Sequence, residues 1–162
     1  VSILMTIYSV LLSLHNLNRW LVLLVGLWAT WQVVRGWLRR QGWQPQQMML
    51  VRVFTRVIEL QFLLGLALYL LPGAFIQAAL QNISWAQIMQ ERLLRFFALE
   101  HPLQMIIAVV LANIALATAR RVPPERRLRW TAILLLLTML LIVSAIPWPG
   151  FYYGRPWLRL PW

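Results

Sequence analysis

The chain has no cysteine, no lysine and no aspartate among its 162 residues. Without cysteine there is no disulfide, no covalently attached c-type haem and no thiolate-held iron–sulfur cluster. Four glutamates and two histidines complete the acid–base inventory, which is thin for general acid–base catalysis. There is no nucleophile–base pair, no Walker loop, no GxGxxG turn and no H-E-x-x-H motif. Charge is scarce as well: 12% of the residues are charged, against about a quarter in a soluble domain. What fills the space is apolar, at 61% hydrophobic residues and a mean hydropathy of +0.69. One soluble surface cannot cover that balance, so lipid is the solvent expected for much of the chain.

The net charge of +11 comes from arginine alone. In a soluble protein it would suggest nucleic acid; here the arginines flank apolar runs, which is a pattern of membrane topology, and no nucleic-acid partner is expected. Four spans are expected at about 17–37, 51–71, 97–119 and 130–146, followed by an aromatic, Pro-rich tail over 147–162. Each approaches the ~20 residues needed to cross ~30 Å of hydrocarbon. The first run lacks a basic start and a convincing A-x-A site, so it does not read as a secretory leader. With no internal repeat, low-complexity tract or Gly/Ser linker, the chain reads as one all-α domain, an integral membrane four-helix bundle.

The loops predict orientation. Arg35, Arg39, Arg40, Arg52 and Arg56 gather around the first turn, and Arg120, Arg121, Arg126, Arg127 and Arg129 around the third. Arg19, Arg92, Arg95, Arg155 and Arg159 make up the other side. Ten against five predicts cytoplasmic arginine-dense turns and both termini outside, in a bacterial inner membrane. Trp20, Trp37, Trp43, Trp85, Trp130, Trp148, Trp157 and Trp162 fall near the expected interfaces; Trp28 and Trp31 fall inside a span. Between spans two and three, "NISWAQIMQERLLRFF" carries a possible Ser84–Gln87 capping box and reads as a short amphipathic surface helix.

His15 and His101 are the only histidines. His15 stands 20 residues before Arg35 and His101 19 before Arg120, so regular helices place them within about 1.5 Å in depth. His101, Ala108, Ala112, Ala115 and Ala119 fall on one stripe, and His15 shares a face with Val22, Gly26 and Ala29. Small residues mark close helix approach in membranes, so both imidazoles are expected to face the bundle. Two level histidines match what a bis-histidine b-type haem requires. The other reading is that each merely hydrogen-bonds a carbonyl or a neighbour such as Glu100. The reading favoured from sequence has no cofactor, with haem b as its alternative.

"LHNLNRW", "ELQFLLGLALYL", "RFFALEHPLQMIIAVVLANI" and "IPWPGFYYGRPW" together resemble a family of small four-span bacterial membrane proteins, loosely catalogued as cytochrome b-like or uncharacterised. The resemblance covers nearly the whole chain. It implies a further histidine in many relatives where this chain has Asn113, about 120° from the His101 stripe.

Other polar groups have two readings each. Glu59 and Gln61 interrupt span two; Glu59 belongs to a proton path or quinone site, or pairs with Arg56 at the cytoplasmic rim. Arg19 holds a lipid headgroup, pairs with Glu100, or meets a haem propionate. In the tail, Pro147, Pro149, Pro156 and Pro161 forbid a long helix. The rings of Trp148, Phe151, Tyr152, Tyr153 and Trp157 there suit docking on a partner, or a collar in the headgroups. The function expected first is a non-catalytic accessory subunit of a quinol-oxidising electron-transfer assembly, touching other membrane subunits and phospholipid. Small tryptophan-rich subunits of alternative complex III are similar in build, by analogy. The alternative is a small b-type cytochrome exchanging electrons with quinol. A transporter fits less well, because broken helices and paired midplane charges are missing.

Overall fold

The computed structural model describes residues 3–158. Arg159, Pro161 and Trp162, assigned above to the outer side and the tail, lie outside the described residues. The chain is all-helical: α1 (Ile3–Leu38), α2 (Pro45–Leu70), α3 (Phe75–Asn82), α4 (Trp85–Gln90), α5 (Arg92–Arg95), a π-helical turn (Phe96–Glu100), α6 (His101–Arg121) and α7 (Pro124–Ala145). Four helical segments are long and apolar enough to cross a membrane, so the chain reads as a multi-pass membrane protein. The neighbours around the bundle are α1–α2, α2–α6, α6–α7 and α7–α1, which leaves α1 and α6 on a diagonal.

The core is built of small and branched residues. Ala108, Ala112, Ala115 and Ala119 of α6 are fully buried, as the alanine stripe predicts, and meet Val22, Ala29 and Val33 of α1 in one cluster with Phe54, Ile58 and Leu135. Leu24, Leu27, Trp28, Trp31 and Leu140 point outward, an inversion that only an apolar solvent rewards. This places the two mid-span tryptophans on the lipid-facing side.

Several boundaries differ from the sequence reading. The apolar lead-in is helical, so α1 starts at Ile3 and has 36 residues, about 54 Å of rod. α7 has only 22, about 33 Å. The expected single surface helix is two pieces, α4 and α5, preceded by α3, which was not anticipated. The Ser84–Gln87 box is present, with Gln87 Oε1 accepting from the Ser84 N–H at 2.9 Å. The first turn closes as a Schellman motif: Gln41 N–H donates to Gly36 O and Arg40 N–H to Trp37 O, both at 3.0 Å. Arg40 accordingly takes the left-handed conformation, with φ 52°. Glu59 pairs with Arg56 at 2.6 Å, three residues back on α2.

Candidate functional site: a histidine cavity at one end of the bundle

α7 stops well short of α1, and the proline-rich tail crosses the gap. Residues from Ile3 to Leu14 of α1, about 18 Å of helix, precede His15. A cavity of about 630 Å³ lies in this region, walled by α1, α2, the π-turn, α6 and the tail. That is within the ~300–1,000 Å³ usual for small-molecule and cofactor sites. Its walls are mostly apolar, and His15, His101, Gln61, Tyr69, Arg19 and Arg155 bring polar groups to it.

His101 is aimed by two prolines. Pro102 has no N–H, so the carbonyl four residues back, that of Ala98, loses its helical donor. Tyr69 Oη donates to that carbonyl instead, at 3.1 Å. Just before it the backbone widens into a π-turn, with the His101 N–H donating to Phe96 O; such one-residue bulges recur at functional sites. On the neighbouring helix, the carbonyl of Ala145 ends α7 and finds only Pro149 four residues on, again without a donor. His101 Nδ1 fills that role at 2.8 Å. Since a carbonyl only accepts, Nδ1 carries the proton and Nε2 is left as the acceptor nitrogen. Phe96 and Phe97 flank the ring, at 5.7 and 6.3 Å between centroids.

His15 is held by Gln61 of α2. Asn18 Nδ2 donates to Gln61 Oε1 at 2.9 Å. The Gln61 amide N–H₂ then donates to His15 O at 3.0 Å and to His15 Nε2 at 3.2 Å. This fixes the His15 proton on Nδ1, which is buried with no partner. Gly65, one turn along α2, makes room for the ring: a Cβ there would lie 3.1 Å from His15 Cε1. The two imidazole centroids are 6.3 Å apart, their planes at 74°. The level, inward-facing pair expected from sequence is therefore brought together, on diagonal helices.

Arg19 is 8% exposed. Its Nη2 donates to the Trp157 carbonyl at 2.7 Å, and the Trp20 indole N–H donates to the same oxygen at 3.0 Å. Glu100, offered above as a partner of either histidine or of Arg19, pairs with Arg95 instead, at 2.7 Å. Asn113 is exposed and donates to Val109 O within its own helix, away from the cavity. The tail folds back on the bundle: Tyr153 stacks on Phe96 at 3.8 Å, and Trp157 packs on Trp20 and Trp148. Tyr152 and Phe151 keep exposed rings.

Sequence reasoning named Gln61 only as an interruption and Arg155 only as a count, and it did not weigh Gly65 or Tyr69. The signal was there in part: Gln61, Gly65 and Tyr69 recur every four residues on one face of α2. Among the described residues no cluster of three or more His, Cys, Asp or Glu could hold a bare metal ion. Two imidazoles alone suit a metal that arrives with its own equatorial ligands. No family model, no curated protein and no solved structure matches this chain.

Proposed function

We propose that the chain is a small membrane-bound electron-transfer protein that holds one b-type haem between His15 and His101. The observation that carries this reading is the pair of imidazoles 6.3 Å apart on the wall of one large apolar cavity. Two metal–nitrogen bonds of about 2 Å, plus about 1 Å from each nitrogen to its ring centre, span about 6 Å. His101 already has the second-shell bond that orients a ligating histidine, through Ala145. For His15 to ligate through Nε2, Gln61 must release one neutral hydrogen bond, at a cost of about 1 kcal/mol; it keeps its bonds to Asn18 and to His15 O. The group would supply a one-electron couple. The chain's own part is to orient two rings, exclude water with Phe96, Phe97 and the folded tail, and present arginine to the cavity. In this reading the arginine-dense turns face the cytoplasm of a bacterium and the cavity lies toward the outer surface, by the charge bias of the loops.

A second reading, an accessory subunit of an electron-transfer assembly that binds no cofactor, is favoured by a different observation. Tyr152 is 73% exposed and Phe151 51% on the folded tail, an aromatic edge suited to a partner subunit. The visible spectrum of the protein purified from haem-replete cells separates the two. The haem reading expects reduced-minus-oxidised Soret and alpha bands that vanish in His15→Ala and His101→Ala and survive in Asn113→Ala. A colourless protein that co-purifies with a multi-subunit oxidoreductase contradicts it.

A further inference from the structure

The other unexplained feature of the cavity is positive charge. Arg19 is buried, yet its Nε has no hydrogen-bond partner, and its contacts are neutral: the Trp157 carbonyl and the Trp20 ring, 5.2 Å away. Arg155 lines the same cavity, its guanidinium 4.8 Å from the Phe97 ring and 5.8 Å from that of Phe75. The backbone of the same tail joins the two groups, since Arg155 stands two residues before the carbonyl that Arg19 holds. Among the described residues no carboxylate balances them: the ion pairs there are Arg56–Glu59 and Arg95–Glu100. A buried guanidinium without a counter-charge is unfavourable, as Arg19 is, and the half-buried Arg155 brings a second positive charge to the same apolar cavity. The planar fork of arginine matches a carboxylate bidentately. An anion entering the cavity meets both demands.

We infer that Arg19 and Arg155 form a clamp for carboxylates at the edge of this cavity, so that its occupant lies with an acidic edge toward the tail and an apolar body toward Met105 and Ile142. This rests on the haem reading, in which the acids are the two propionates, and it adds the direction in which the group enters. It also gives the tail a role: it closes over the cavity and supplies one jaw of the clamp.

The test titrates the detergent-solubilised, haem-free full chain with haemin and with haemin dimethyl ester, whose carboxylates are capped. Binding is read by tryptophan quenching and by the Soret band. The clamp predicts that the diacid binds at least about tenfold more tightly than the ester. Arg155→Gln and Arg19→Gln should each narrow the ratio of acid to ester affinity, by weakening the diacid more than the ester; Arg19→Lys should restore it in part. Equal affinity for acid and ester in the wild-type chain overturns the clamp while leaving the haem reading in place, whatever the variants do to folding. A chain that binds neither form overturns both. If the two forms bind equally and phosphatidylglycerol competes with them through Arg19, the arginines hold lipid phosphate and the carboxylate assignment is wrong.

Discussion

In the half of the bundle nearer the arginine-dense turns, Ala112, Ala115 and Ala119 are buried without residue and pack among Val33, Phe54 and Leu135. In the half nearer the histidines, Tyr8, Phe62, Met105 and two imidazoles line a cavity of about 630 Å³. Both halves lie in helices of similar apolar composition, so hydropathy does not separate them. What does is where α7 ends. Pro147 and Pro149 stop its hydrogen-bonded ladder, three helices continue, and a bent tail takes the place of a fourth. Side-chain packing sustains the closed half, whereas hydrogen bonds to carbonyls that proline has orphaned hold the open half in shape.

The largest expected difference between the halves comes from adding one methyl group to each. A Cβ on Gly26, in the closed half, would lie 2.5 Å from Met139 Sδ and 2.7 Å from Phe54 Cε2. Gly26→Ala should therefore cost about 1–3 kcal/mol in unfolding followed in mixed detergent. Gly65→Ala meets only the His15 ring, Cε1 at 3.1 Å and Nδ1 at 3.6 Å, beside open volume, and should cost less than about 1 kcal/mol while displacing the ring and weakening haem uptake. Equal losses in the two variants would break the distinction between a packed and an open half.

A smaller effect is expected from Tyr69→Phe. It leaves the Ala98 carbonyl without its donor, which should cost about 1 kcal/mol and broaden the haem spectrum by loosening the turn that aims His101. An unchanged spectrum would show that Pro102 sets the ring without that bond. The smallest effect lies at the opposite end. Arg40 holds a left-handed backbone, φ 52°, so Arg40→Gly should raise stability by about 0.5–1 kcal/mol and leave any property of the cavity unchanged.

These residues also mark how far the sequence could be read. Apolar runs and the spacing of His101 with Ala108, Ala112 and Ala115 are properties of single helices, and the four long helical segments contain the expected spans to within a residue, although α1 begins well before its own. The depth of the histidines was legible for the same reason, since rise per residue is constant along a regular helix. Gln61 was not legible as a partner of His15, because the contact depends on how α1 and α2 slide against each other, and neither helix records that register alone. The π-turn follows from Pro102 acting with Tyr69, 33 residues apart in the chain. The tail has no periodicity, so its return to Phe96 and Trp20 left no trace beyond its rings. For Arg19 the sequence leaves a headgroup, Glu100 or a propionate open, because a lone arginine near a span end carries no record of the tail that returns to bury it and accept its hydrogen bond.

The central claim is that His15 and His101 share one iron. Electron paramagnetic resonance of the oxidised, haem-loaded protein tests this most directly. A low-spin ferric signal in the wild-type chain, replaced by a high-spin one in His15→Ala and again in His101→Ala, is the result predicted. A wild-type signal that persists unchanged in either variant would contradict it, because that ring would then not be a ligand.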